Sequence, residues 1–165
     1  MKESLTDTEL RLNHAAQQIK LAFKYSDQEK SFCSCVDSYI TLARSVPAIM
    51  QEETVHSPRL LLWYKDQVTN LKKLPTVNFF NQRKNPSIYK DKENPEKKVP
   101  SRYKLNVLDL VEEDEALINA WKFKDVEKYI PEDSGNVLDL CRKHFHILSW
   151  FVSEWLRKRR ELGIR

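Results

Sequence analysis

The stretch FFNQRKNPSIYKD, from Phe79 to Asp91, contains the residue types best suited to holding a phosphate group. Arg83 stands six residues before Tyr89, and Asn85 and a proline lie between them. An arginine guanidinium can clamp a phosphate through two parallel hydrogen bonds. A tyrosine can donate a hydrogen bond or stack its ring on a base. These residue types are able to contact a nucleic-acid backbone, and they are also those of an ordinary basic loop after a helix.

Basic residues continue beyond this stretch, because residues 81–104 include eight basic and three acidic side chains. A second basic region, residues 156–165, has five basic residues and one acidic residue. Such regions on an otherwise acidic chain suit RNA, DNA or an acidic partner protein. The alternative is a solvated loop and a solvated helix end. The candidate contacts to RNA or a protein partner are Arg83, Lys84, Asn85, Lys90, Lys92, Lys97 and Lys98.

Other residue types that carry chemistry are not arranged for it. His144 and His146 lie two apart in a helical pattern and face different directions, so His144 is expected to be a satisfied core histidine. Cys33 and Cys35 form a CxC, which is poor geometry for one metal on a helix. The acidic residues 112–115 read as a solvated stop between elements. The sequence therefore predicts no metal and no cofactor.

Length and composition favour one folded domain over residues 1–165, with a mass of 19.6 kDa. With only two glycines, the chain holds no glycine-rich phosphate loop. It also has no apolar run of the roughly 18 to 20 residues that a membrane span needs. The N-terminal MKESLTDTEL lacks the apolar segment of a signal peptide. We therefore expect a soluble cytoplasmic protein without membrane contact.

Apolar residues recur at three- and four-residue spacing in four long segments, which predicts four main helices. The expected caps are Thr6 or Asp7, Asp27, Ser57 followed by Pro58, and Ser134 or Asn136. Pro47 is expected to kink the second helix or end its regular part. Pro75 is expected as a stop, before a short helix capped by Thr76. The segments are about 7–25, 27–53, 57–74 and 133–162, with Gly163 ending the last.

The region between the third and last main helices is predicted to contain a loop and two strands. Residues 85–101 contain three prolines and read as a mobile basic loop. RYKLNVLDLV, residues 102–111, alternates as a strand does, and a second strand is preferred around Leu117 to Lys124 over a helix. The predicted fold is mostly α. It is an up-and-down bundle of four main helices, with the basic loop and a small β-hairpin-like insertion (102–124) before the last helix.

The helix order and the motif region resemble the HEPN superfamily of small helical proteins. That family carries an Arg-x(4–6)-His motif, often with an asparagine beside the arginine, after a helix rich in phenylalanine. Here VNFFNQ (77–82) precedes the motif, Arg83 takes the arginine position, and Tyr89 stands where the histidine would be. In the alternative register Lys84 replaces the arginine, and Asn85 is adjacent to it. The resemblance covers about residues 10–90 and the last helix.

The resemblance implies a metal-free ribonuclease site, with Arg83 and Tyr89 as catalytic candidates. In active members a histidine with a pKa near 7 serves as the acid–base group. Tyrosine has a reference pKa of about 10, so binding would persist while cleavage would be weak or lost. The resemblance also implies a homodimer through the long helices and a toxin–antitoxin or phage-defence role. The alternative is a helical protein-interaction module with no nucleic-acid role, in which Tyr89 packs on the bundle.

Overall fold

A computed structural model describes residues 4–82, 87–90 and 121–164. As predicted, the fold is mostly helical, with a small two-stranded antiparallel ribbon before the final helix. A 3-10 helix, Val126–Lys128, follows the ribbon. The elements are α1 (Asp7–Lys24), α2 (Glu29–Glu52), α3 (Pro58–Leu71), α4 (Pro75–Gln82), β1 (Ile88–Lys90), β2 (Trp121–Phe123) and α5 (Val137–Glu161).

Three helices begin at the caps that the sequence predicts. The side chains of Thr6, Ser57 and Asn136 each accept a hydrogen bond from the backbone N–H three residues further on. At α1 the Glu9 carboxylate also accepts a hydrogen bond from the Thr6 backbone N–H at 2.8 Å, which completes a capping box. These bonds satisfy N–H groups that a helix start otherwise leaves without a partner.

Replacing Thr6 by alanine is expected to lower the free energy of unfolding by about 1 kcal/mol, because the cap bond is lost. Thr41→Ala is the matched control. Thr41 is an exposed residue within α2 whose hydroxyl donates a hydrogen bond to the Asp37 carbonyl at 3.0 Å. Alanine has the higher helix propensity, so this control is expected to be neutral or slightly stabilising. Urea denaturation of both variants measures the difference, and equal losses would contradict the assigned cap.

Two helix boundaries differ from the prediction. Gln28, and not Asp27, is the cap residue of α2, and its side chain makes no capping hydrogen bond. Pro47 does not end α2, which continues to Glu52 as the predicted segment does. Pro75 is the first residue of α4 and does not act as a stop. A proline has no backbone N–H, but the N–H of the first helical residue has no partner within the helix, so nothing is lost there.

The last helix, α5, is central to the fold. It packs against α1, α2, α3, α4 and β2. Its apolar stripe is wide enough to reach each of these neighbours, as the sequence pattern predicts. The buried apolar residues of α5 are Val137, Leu138, Leu140, Cys141, Phe145, Leu148, Phe151, Val152 and Trp155.

Two hydrophobic clusters lie along α5. The first joins α1, the first half of α2, α4 and the ribbon, around the fully buried Phe32, Tyr39 and Phe80. The second joins the end of α2 and α3 to the second half of α5, around Met50 and Trp155. Phe79 and Phe80 of α4 face the core.

The ribbon is held to the helices by Trp121 of β2. Its ring stacks on Phe32 at 4.8 Å between centroids, and its indole N–H donates a hydrogen bond to the Ser26 carbonyl at 2.7 Å. These contacts fix β2 against the turn between α1 and α2. The predicted strand around 117–124 is therefore confirmed in its second half, at Trp121–Phe123.

The described partner of β2 is β1, within the segment predicted to be a loop. Ile88 lies opposite Phe123, and this pairing gives backbone groups of both strands their hydrogen-bond partners. The strand predicted at 102–111 lies outside the described residues. The loop prediction for 85–101 is thus wrong at Ile88–Lys90.

Candidate functional site

Two residues of the predicted binding site lie in the described part of the chain. Tyr89 and Lys90 both belong to β1. Whether they converge with the remaining candidates stays a prediction. The candidates outside the described residues are Arg83, Lys84, Asn85, Lys92, Lys97 and Lys98.

The exposed face of the ribbon carries an aromatic ring between lysines. Tyr89 is 40% exposed and lies directly opposite Lys122 of β2, so the two side chains share a face. Lys124 lies two residues after Lys122, and its backbone N–H donates to the Ser87 carbonyl at 2.9 Å, which continues the pairing. Alternation along the strand places Lys124 on the face of Tyr89 as well.

Lys90 belongs to the opposite face of the ribbon. It pairs with Trp121, and its ammonium lies 5.7 Å from the centre of the indole ring. This distance suits a cation–π interaction. Tyr89 and Lys90 therefore project to opposite sides, and only Tyr89 lies on the face that carries Lys122 and Lys124.

A pocket of about 340 Å³ opens beside Tyr89. Three carboxylates line it together with Lys124. Asp133 already accepts hydrogen bonds from the Gly135 N–H at 2.8 Å and from Lys143 at 3.1 Å. Asp125 lies 3.8 Å from Lys128. Glu127 is exposed and forms no ion pair with any residue that the structure describes, so it is the carboxylate most open to a ligand.

Gly135 shapes the wall of this pocket. Its φ of +81° is a left-handed conformation that side chains disfavour. A Cβ there would lie 3.3 Å from the Phe123 carbonyl oxygen, while the Phe123 N–H donates to the Gly135 carbonyl at 2.8 Å. This close approach brings the segment before α5 against β2, next to Tyr89.

His144 is a core residue, as predicted, and its Nδ1 is hydrogen-bonded inside the bundle. It is 2% exposed and stacks on Phe80 at 4.3 Å between centroids. The Tyr39 hydroxyl lies 2.9 Å from His144 Nδ1 and 3.1 Å from the Cys141 carbonyl oxygen. Burial lowers the pKa of His144 to about 3, which keeps the ring neutral, and raises the pKa of Tyr39 well above its usual value.

The basic end of α5 is partly neutralised by its own helix. Arg157 forms ion pairs with Glu154 at 2.6 Å and with Glu161. Arg159 is mostly buried, with its guanidinium 4.6 Å from the centre of the Trp155 ring. These contacts favour the solvated helix end over a second nucleic-acid patch for this part of the predicted basic region.

Lys122 and Lys124, which lie beside Tyr89 on the ribbon, are not among the residues predicted from the sequence. The signal was present in WKFK, where a strand pattern puts both lysines on one face. It could not be used, because nothing local shows that β1 pairs with this strand. The three cysteines are free, two of them half-buried and Cys141 buried.

Comparisons with known sites and known proteins add no assignment. Among residues 4–82, 87–90 and 121–164, no three His, Cys, Asp or Glu side chains are grouped as a metal ion would require. No helix within those ranges has both the length and the hydropathy to cross a bilayer. Neither a protein-family model, nor a curated protein, nor a solved structure matches the chain.

Proposed function

We propose that this protein binds single-stranded RNA across the exposed face of the β-ribbon. The observation that carries the proposal is Tyr89, 40% exposed, opposite Lys122 and on the same face as Lys124. Proteins that bind single strands combine a ring on which a base stacks with cations that follow the phosphates. The two lysines supply the cations, and Tyr89 supplies the ring.

The neighbouring pocket supports an orientation for the bound strand. Glu127 and its neighbouring carboxylates repel phosphate, so the backbone would follow Lys122, which is not among the residues that line the pocket. A base stacked on Tyr89 would direct its edge into the pocket. There Glu127 could accept a hydrogen bond from an exocyclic amino group, as carboxylates do from cytosine. The arrangement favours bases that present an amino group.

The HEPN resemblance assigns the phosphate clamp to Arg83. Arg83 follows Gln82, the last residue of α4, and β1 begins five residues further along the chain. In this proposal Tyr89 takes the place of the missing histidine and contributes stacking, since a tyrosine hydroxyl is a poor base at neutral pH. Cleavage would then be weak or lost. The resemblance adds a toxin–antitoxin or phage-defence role and a homodimer.

The test is the affinity for a labelled single-stranded RNA. Tyr89→Ala is expected to weaken binding by about 5- to 150-fold, because stacking on one base contributes about 1–3 kcal/mol. Tyr89→Phe is expected to bind nearly as well as the unchanged protein. Tyr25→Ala is the matched control, since Tyr25 also has a lysine near its ring, with Lys24 Nζ 5.5 Å from the centroid.

Salt and cleavage measurements complete the test. Replacing Lys122 and Lys124 together by uncharged residues is expected to reduce the slope of log affinity against log salt concentration. The reduction should be about 0.7 for each phosphate that is no longer neutralised. Incubation without metal, beside Arg83→Ala, reports any cleavage that depends on the motif. If Tyr89→Ala and Tyr25→Ala bind equally well, the ribbon is not the site. If no RNA binds at all, the protein-interaction module is the function to pursue.

A further inference from the structure

A second concave site lies on the other elements of the bundle. It is a groove of about 580 Å³ between α2, α3, α4 and the middle of α5. That volume falls within the range of about 300–1,000 Å³ typical of small-molecule sites. Val68, Leu71, Val77 and Leu148 form much of its apolar wall, and Tyr64, Asn81 and His144 supply polar groups.

The charged residues that line this groove are all basic. Arg44 from α2, Lys65 from α3 and Lys72 just after α3 line it, and no lining residue in the described part of the chain is acidic. None of these cations forms an ion pair with a residue in the described ranges. Arg44 is half-buried, and the two lysines are exposed at the rim. Like charges held together without a counter-ion favour an anionic ligand.

His144 provides a hydrogen-bond acceptor among the residues that line the groove. The Tyr39 hydroxyl has one hydrogen and contacts both His144 Nδ1 and the Cys141 carbonyl. A carbonyl can only accept, so both contacts are hydrogen bonds only when the hydroxyl donates to Cys141 and Nδ1–H donates to the hydroxyl. The neutral ring then keeps a lone pair on Nε2. His144 is among the residues that line the groove.

We propose that this groove binds a nucleoside monophosphate, with the phosphate at Arg44, Lys65 and Lys72. The base would lie between the apolar walls, where its amino group can donate to Nε2 of His144. A peptide with acidic side chains would satisfy the cations but would extend beyond a groove of this volume. The nucleotide is either free or the 5′-phosphorylated end of an RNA, since both carry the same chemistry.

Calorimetric titration with AMP and CMP, beside adenosine and cytidine, tests the proposal. The monophosphates are expected to bind at least about tenfold more tightly than the nucleosides, because charge-assisted hydrogen bonds to the phosphate are lost without it. Arg44→Gln is expected to weaken AMP binding by about tenfold or more. Arg59→Gln, an exposed arginine at the start of α3 outside the groove, is the matched control.

A second variant distinguishes a loss of binding from a loss of folding. Lys65→Gln with Lys72→Gln changes only exposed side chains, and it should weaken AMP binding while the thermal midpoint stays near that of the unchanged protein. Titration with an RNA oligonucleotide, with and without a 5′-phosphate, separates the two sources. If the groove takes the end of an RNA, the 5′-phosphate should increase the affinity for the oligonucleotide. If it takes only the free nucleotide, the 5′-phosphate should not change that affinity. No binding of AMP or CMP at millimolar concentration, or equal binding of nucleoside and nucleotide, overturns the proposal.

The proposed nucleotide site in the groove and the proposed RNA site on the ribbon can be tested independently. Tyr89→Ala should leave AMP binding unchanged if the groove is an independent site, because Tyr89 is not among the residues that line it. Arg44→Gln should leave the affinity for RNA without a 5′-phosphate unchanged. A variant pair that affects both ligands equally would contradict two separate sites.

Discussion

Replacing Trp155 by alanine is expected to lower the free energy of unfolding by about 3–5 kcal/mol, the usual cost of removing a large buried aromatic residue. Trp155 is 0% exposed and lies in the second hydrophobic cluster. Its indole N–H donates a hydrogen bond to the Thr54 hydroxyl at 3.0 Å. Natural domains have only about 5–15 kcal/mol of stability, so this variant should be close to unfolding at room temperature.

The cost is large because Trp155 carries more than apolar area. Thr54 is fully buried at the end of α2, and its hydroxyl bridges from the Trp155 indole to the Met50 carbonyl. The Arg159 guanidinium lies over a face of the ring. Substitution by alanine would therefore leave a cavity. It would also leave the buried Thr54 hydroxyl without its donor and the mostly buried Arg159 guanidinium without the ring beneath it.

Trp150 provides a control within the same helix. Trp150 is 54% exposed, and Trp150→Ala is expected to change the free energy of unfolding by about 0.5 kcal/mol or less, as surface substitutions do. Trp155→Phe keeps most of the ring and should fall between the two alanine variants. Urea denaturation, followed by circular dichroism, measures all three. Equal losses for Trp150→Ala and Trp155→Ala would contradict the packing described for α5.

Much of the fold is visible in the sequence because helices are local. Thr6, Ser57 and Asn136 could be identified as caps since each bonds to an N–H only three residues away. The five-residue spacing of Trp150 and Trp155 indicates different faces of one helix, and the structure places one outside and one inside. Such features depend on the helical repeat and not on distant partners.

The ribbon could not be derived in the same way. β1 has three residues and becomes a strand through pairing with β2, which lies about thirty residues further along the chain. Pairing at that separation leaves little local signal, since a short strand depends on its cross-strand neighbours. The cationic groove has the same origin, because Arg44 and Lys72 come from different parts of the chain and meet only through the packing of α2 on α3.

Lowering the pH from 6.5 to 5 is expected to cost about 2 kcal/mol of stability through His144 alone. Burial lowers its pKa in the folded protein to about 3, from an ordinary value near 6.5. Below pH 6.5 the unfolded chain therefore binds a proton that the folded chain does not. The loss continues at about 1.4 kcal/mol per pH unit until the folded ring protonates near pH 3.

The measurement is the free energy of unfolding from urea titrations at several pH values between 7 and 5, where most carboxylates do not yet titrate. His144→Gln keeps a neutral polar side chain beside Tyr39 and removes the titrating group, so over this pH range its stability should vary less with pH by about 1 kcal/mol per unit on average. His14→Gln, at an exposed position of α1, is the histidine substitution used for comparison.

The slope separates packing from ionisation. His144→Gln also disturbs the stacking on Phe80, but that loss is the same at every pH and shifts the curve without changing its slope. The raised pKa values of Tyr39 and Cys141 keep both of these neighbours neutral throughout the acidic range, so neither can produce the dependence. Identical slopes for His144→Gln and the unchanged protein would mean that the pKa of His144 is not lowered in the folded state, which would contradict its burial in the core.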